Sequence, residues 1–195
     1  MEDFLGIPYK VAQRATGTTY SCPSDVKIVR YADDFVIMCE TEEKANSMFE
    51  QLQPYLKIRG LELAPDKTKV THIRDGFDFL GFQIRRYSTQ QGSKLLIKPS
   101  SKSIKSTKTK IHDTFKMNKG SNVGTLISAL NPQLIGTANY WKSVVAKQLF
   151  SNMNTQVWFH TKKFLIGLHS KKSWEWIRKR YFNQTRRDKV KIIGF

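Results

Sequence analysis

The chain has 195 residues, 39% of them hydrophobic, enough for one domain or two small ones around a real core, which excludes a wholly disordered polypeptide. Its net charge of +17 is unevenly spread: residues 1–93 carry 12 Lys or Arg against 13 Asp or Glu (net −1), and residues 94–195 carry 21 against 3 (net +18). No run of about 18 apolar residues and no basic-then-apolar leader is visible, and Cys22 and Cys39 match neither a zinc nor a disulfide spacing, so the expectation is a soluble protein of a reducing compartment, cytoplasmic or organellar.

In chain order, the first strong pattern is a pair of strand-forming runs around two acids. Val26, Ile28, Val29 and Tyr31 precede Asp33 and Asp34, and Phe35, Val36, Ile37 and Met38 follow them. Aspartates are common turn residues, so a β-hairpin is predicted whatever the function. Such a turn also projects two carboxylates from a rigid sheet, where a hard divalent cation could take them as oxygen ligands. Thr41 is suited to cap a helix whose first turn holds Glu42 and Glu43. Ala45, Met48, Phe49, Leu52 and Leu56 recur at helical spacing and read as core, with Pro54 bending the helix and Gly60 capping its end. Leu61–Leu63 and Lys69–Ile73 read as short strands around the Pro65–Thr68 turn, and Phe77–Ile84 as a further strand pair.

Residues 88–93 are polar and residues 94–110 are rich in lysine and serine, which predicts a boundary and linker. Lys102, Lys105 and Lys108, with Lys98 and Lys110 farther out, fall about three apart and would form a basic stripe on a helix. Leu126, Ile127 and Leu130 lead to Asn131–Pro132, after which Tyr140, Trp141, Val144, Val145 and Leu149 suggest one long helical run. Val157, Trp158, Phe164, Leu165 and Leu168 suggest a second helix. Trp174, Ile177, Tyr181 and Phe182 suggest a short third, with Arg178, Lys179 and Arg180 on its other side. Tyr140 and Trp141 are adjacent and cannot both point into one core; Trp141 and Trp158 read as packing residues. His160 and His169 are too isolated to be assigned as ligands. The fold class expected is α+β, antiparallel strands followed by a helical bundle. Because no acidic residue stands between Asp113 and Glu175, the second half lacks the partners of a merely solvated surface, and a polyanion is the natural ligand. Nucleic acid is favoured over an anionic membrane, since aromatics and lysines do not segregate onto one amphipathic face.

Four segments in order then carry a resemblance: Tyr31-Ala-Asp-Asp34, Gly60-Leu-Glu-Leu-Ala-Pro-Asp-Lys-Thr68, Gly76-Phe-Asp-Phe-Leu-Gly-Phe82 and Ile135-Gly-Thr-Ala-Asn-Tyr-Trp141. Together they resemble group II intron-encoded reverse transcriptases. The first three are similar to the later palm motifs of the polymerase and the last to the maturase-specific region, also called domain X or thumb. The resemblance implies a partial palm over 1–93, a basic linker and start of the thumb over 94–116, a maturase-specific helical domain over 117–182 and a basic tail over 183–195. It implies that Asp33 and Asp34 bind catalytic Mg2+, that Lys67 lies near the leaving pyrophosphate, and that Phe79, Leu80 and Gly81 form the primer grip. Intron RNA and primer-template would be the partners, contacted by Lys102, Lys105, Lys108, Tyr140, Lys142, Arg178, Lys179 and Arg180. A complete palm in this family needs a further aspartate on an earlier strand and a glycine-containing nucleotide-pocket motif. Only 30 residues precede Tyr31, and Asp3 and Asp25 lack the apolar strand context. The expectation is therefore the carboxy-terminal portion of such an enzyme, which extends no primer by itself without an amino-terminal palm and fingers segment. The alternative expectation is a free-standing RNA-binding maturase module that assists splicing without catalysis, with the two aspartates as inherited turn residues.

Overall fold

The computed structural model describes residues 10–14, 17–21 and 26–182; Cys22, Asp3, Asp25 and the basic tail lie outside them. The fold is α+β. Seven strands and five helices follow one another among the described residues: β1 (Lys10–Arg14), β2 (Gly17–Ser21), β3 (Lys27–Tyr31), β4 (Asp34–Met38), α1 (Glu42–Lys57), β5 (Phe77–Phe79), β6 (Phe82–Thr89), β7 (Gly92–Pro99), α2 (Ser101–Met117), α3 (Val123–Trp141), α4 (Lys147–Leu168) and α5 (Trp174–Tyr181). They form a four-stranded sheet in the order β1-β2-β3-β4, a three-stranded sheet in the order β5-β6-β7, and a helical bundle. The chain divides into two compact units, one ending at Leu80 and taking in Ile84–Leu95, the other holding Gly81–Gln83 and running on from Leu96.

In the first unit β3 and β4 pair antiparallel with Ile28 opposite Ile37, Val29 opposite Val36 and Tyr31 opposite Asp34. Alternation then puts Ile28, Ile37 and Phe35 on the covered side of the hairpin and Tyr31, Asp34 and Met38 on the open side. Helix α1 begins as the sequence predicts, with the Thr41 hydroxyl accepting from the Lys44 amide at 3.3 Å. It ends in a Schellman closure: Leu61 N–H donates to Leu56 C=O (3.0 Å), Gly60 N–H to Lys57 C=O (3.0 Å), and Gly60 takes φ +69°. Leu52 and Leu56 are its buried residues.

Two expected strands are not formed. Residues 61–63 and 69–73 carry no strand ladder, because a strand needs a partner along its length. Apart from the local turns, this run offers Ile73 C=O accepting from Arg86 N–H at 2.9 Å. The expected linker is also replaced by regular structure. Its polar start is the tip of the β6–β7 hairpin, where Gly92 takes φ +115° and the Thr89 hydroxyl donates to Gly92 C=O at 2.9 Å. Its lysine-rich continuation is strand β7 and then α2, whose first turn is capped by the Ser100 hydroxyl accepting from Ser103 N–H.

The core of the second unit is built by Ile111 and Phe115 of α2, Leu126, Leu130, Leu134 and Trp141 of α3, and Met153 and Val157 of α4. Helix α3 runs straight through Pro132, where the sequence suggested an interruption. The i, i+4 ladder of Leu126, Leu130 and Leu134 keeps one face buried on both sides of the proline, and that burial outweighs the missing hydrogen bond. The long run beyond Trp141 divides in the opposite sense: α3 stops there, Val145 N–H donates to Ile97 C=O of β7 at 3.0 Å, and α4 begins at Lys147.

Candidate nucleic-acid interface and aspartate hairpin

The turn between β3 and β4 consists of Ala32 and Asp33. Ala32 takes φ +51°, and the Arg30 guanidinium Nε donates to Ala32 C=O at 2.9 Å, holding the tight turn from within the hairpin. Asp33 thus stands at the tip and Asp34 opens β4 opposite Tyr31. Both carboxylates are exposed. Among the described residues, no third His, Cys, Asp or Glu gathers with them into a group that could hold a metal ion. Lys67 lies in the Pro65–Lys67 turn, its amide donating to Ala64 C=O at 3.1 Å and its side chain exposed.

Phe79-Leu80-Gly81-Phe82 forms a two-residue hairpin turn. Leu80 and Gly81 both have positive φ, +49° and +76°, which is the type I′ pattern that suits the twist of antiparallel strands. The left-handed conformation at Leu80 costs about 1–2 kcal/mol. Gly81 belongs to the second unit: its carbonyl accepts from Ser100 N–H at 2.9 Å, and a Cβ on it would sit 3.5 Å from Ser103 Oγ and from Tyr140 Oη. The Tyr140 ring packs on Phe82 with centroids 4.8 Å apart while remaining 50% exposed. Its neighbour Trp141 is 1% exposed, so the helix divides the pair as their adjacency requires.

Helix α2 presents Lys102, Lys105 and, three turns farther, Lys116 on its exposed side, with His112 among them. Lys108 is half-buried on the flank, Lys110 is exposed on the other flank, and Lys98 is on β7. The stripe predicted from a spacing of three therefore drifts across the helix, and spacing of 3.6 replaces Lys108 by Lys116 on the outer face. Lys142 closes α3, its ammonium 3.4 Å from Asn139 Oδ1. On α5, Arg178, Lys179 and Arg180 are exposed around the buried Ile177, and Lys179 pairs with Glu175 at 3.5 Å.

Trp158 departs from the expected packing role: it is 43% exposed. Its ring meets Phe159 (5.1 Å, 79°) and Trp174 (6.4 Å, 83°) edge to face, and the Lys162 ammonium lies 5.4 Å from the Trp158 centroid and 4.9 Å from that of Trp174. These contacts, with Trp176, were not legible because helical periodicity assigns large aromatics to the core; the lysine at i+4 from Trp158 was the available signal. Of the histidines, His169 Nε2 is 2.8 Å from the Tyr181 hydroxyl, and His160 stacks on Phe115 (5.3 Å) and meets His112 edge to face (5.6 Å). Burial first, then the charges of His112 and Lys163, hold the His160 pKa below its ordinary value. Cys39 is a free, partly buried thiol whose pKa burial pushes up against the opposing effect of Lys44, a shift that disfavours the thiolate.

This architecture, antiparallel sheets with a carboxylate hairpin followed by a helical bundle, is that of a palm and thumb. Residues 7–84 match the family described as Reverse transcriptase (RNA-dependent DNA polymerase), and residues 104–182 match Group II intron, maturase-specific domain. A reverse transcriptase domain and a group II intron maturase-specific domain are thus both present in this chain. The chain is also similar to Protein YkfC of Escherichia coli (strain K12), 39% identical over 72 residues, a match covering 34% of this chain and 18% of that protein. It therefore spans less than a fifth of the length of that curated relative.

Proposed function

We propose that this chain is the late palm and thumb portion of a group II intron reverse transcriptase/maturase, which binds group II intron RNA through its basic helical half. The observation that carries this reading is the order of the two domains combined with the charge split, net −1 before residue 94 and +18 after it. The lysines and arginines of α2 and α5 would neutralise RNA phosphates and release counterions. Asp33 and Asp34 would supply two oxygen ligands to Mg2+, a donor set that suits an ion which takes one or two carboxylates and fills its remaining positions with water and phosphate oxygens. Bound there, Mg2+ would supply the Lewis acidity for nucleotidyl transfer. Lys67 would stabilise charge on the departing pyrophosphate, and Phe79, Leu80 and Gly81 would support the primer strand. A further metal ligand and a nucleotide pocket would come from a palm and fingers segment outside residues 1–195, and residues 1–195 by themselves are expected to extend no primer.

The test pairs two measurements on the purified chain. Primer extension with Mg2+ and primer-template is expected to be absent, and RNA binding is expected to be present and unchanged by Asp33→Ala. Extension that Asp33→Ala abolishes would overturn the proposed dependence on a second segment. Loss of RNA binding in Asp33→Ala would overturn the placement of binding in the helical half. The free-standing module that binds RNA without catalysis is the competing reading. It is supported by the same charge distribution, and it predicts that a supplied amino-terminal palm and fingers segment never restores extension.

A further inference from the structure

Helices α4 and α5 carry a surface that neither the palm motifs nor the α2 stripe accounts for. Trp158, Phe159, Trp176 and Phe182 all remain substantially exposed. Trp174 joins the first of these to the last, its ring 6.4 Å from Trp158 and 6.0 Å from Phe182. Cations lie over the rings: Lys162 over Trp158 and Trp174, and Lys172 and Arg180 over Trp176, each 5.5 Å from its centroid. From residue 147 to residue 182 there are eight Lys or Arg and one acid, Glu175.

Resting on the RNA-binding reading above, we propose that this α4–α5 surface is a stacking platform for unpaired nucleotides, with Trp158 and Trp176 receiving bases and Lys162, Lys172 and Arg180 receiving the flanking phosphates. The occupant must bring flat π faces and regularly spaced negative charge together, and nucleotides outside a duplex do both. The ring geometry argues against a duplex as the ligand. Trp158 stands at 79° to Phe159 and 83° to Trp174, so neighbouring rings present faces in different directions, suiting bases splayed from one another. On the side of Trp176, His169 meets the indole at 5.2 Å and is itself tied to the Tyr181 hydroxyl at 2.8 Å. That brace orders the indole before any ligand arrives, and a base stacking on it loses less side-chain entropy than on a free tryptophan.

The experiment measures binding of the full chain to a fluorescent oligouridylate and to a blunt RNA duplex of equal length, at one fixed salt concentration. The variants are Trp158→Ala, Trp158→Phe, Trp176→Ala and Lys102→Ala/Lys105→Ala. Each tryptophan-to-alanine change is expected to weaken oligouridylate binding by about tenfold, the usual scale for one stacked base, and to leave duplex binding within about twofold. Trp158→Phe retains most of the affinity, and the α2 double variant weakens both ligands together. Oligouridylate also quenches tryptophan fluorescence of the unaltered chain, which decides the matter should an alanine variant fail to fold; absence of quenching overturns the platform. Variants that stay folded but bind oligouridylate unchanged, with the α2 double variant still impaired, overturn the platform and leave the RNA-binding reading intact. An unaltered chain that binds neither RNA overturns both. Tighter binding to phosphatidylserine vesicles or to polyglutamate than to oligouridylate, lost in the same tryptophan variants, reassigns the surface to a membrane or an acidic protein.

Discussion

The two units of this chain solve opposite problems. In the palm-like unit, the buried hydrophobic residues among those described are Val26, Ile28, Leu52 and Leu56, while Tyr31, Met38, Ile58, Leu61 and Val70 remain exposed. In the helical unit a continuous core joins α2, α3 and α4, and the charge is thrown to the outside. One unit is a nearly neutral scaffold that presents Asp33, Asp34 and Lys67 on tight turns. The other is a self-packed bundle whose positive exterior is held apart by its own core. The first is defined by backbone geometry at a few points, the second by side-chain packing throughout.

The sharpest way to break that comparison is at Trp141. Its truncation in Trp141→Ala opens a cavity in the middle of the bundle and is expected to cost about 3–5 kcal/mol, read by chemical denaturation. Ile58→Ser in the palm-like unit, where the side chain is 83% exposed, is expected to change stability by less than about 0.5 kcal/mol. Comparable losses at both positions would show that the two units do not differ in this way.

Salt tests the charge side of the contrast. If the helical exterior neutralises about five phosphates of single-stranded RNA, affinity falls on the order of 10²-fold between ~50 and ~200 mM salt. Reversing charge in the bundle, as in Lys105→Glu, is expected to flatten that slope, whereas Glu42→Lys in the palm-like unit leaves it unchanged. Titrations of both variants by fluorescence anisotropy give the comparison directly.

Glycine substitutions sharpen the backbone side. A Cβ at Gly76 would lie 2.8 Å from Arg85 Cβ and 3.0 Å from Ile84 C=O, at φ +81°, so Gly76→Ala meets both a clash and an unfavourable conformation. At Gly81 the neighbours are 3.5 Å away and the conformation alone is at issue, a cost of about 1–2 kcal/mol. Thermal unfolding should rank Gly76→Ala as the more damaging change, and an equal or reversed ranking would sink this account of the two turns.

The smallest expected effect is one of pH. His160 has its folded-state pKa lowered by burial, by His112 and by Lys163, so between that pKa and its ordinary value near 6.5 the unfolded chain binds more protons than the folded one. Stability then falls slightly as the pH drops from 7 through this window, by an amount kept small because the ring is only partly buried. Replacing His160 by Gln should reduce the slope measured by denaturation at several pH values; a slope of opposite sign would contradict the electrostatic picture around Phe115.

Much of the local architecture was legible without coordinates. The hairpin around Asp33 and Asp34, the Thr41 cap, the Gly60 closure and the strand pair at Phe77–Ile84 all follow from local rules of turn chemistry, capping and alternation, which act over a few residues. So does the division of Tyr140 and Trp141 between surface and core. The charge split is a property of composition and needs no fold at all. What only the tertiary structure decided depends on partners distant in sequence. Residues 61–63 and 69–73 have strand-forming composition but, among the described residues, no neighbouring strand to pair with. Pro132 stays inside α3 because packing on both sides of it outweighs one lost hydrogen bond. Trp158 is turned outward because Val157 and Thr161 take the buried side of α4, and its meeting with Lys162 and Trp174 requires α5 to return alongside. Periodicity states which residues share a face; it takes a second element, arriving from elsewhere in the chain, to determine which face becomes core and which stays exposed.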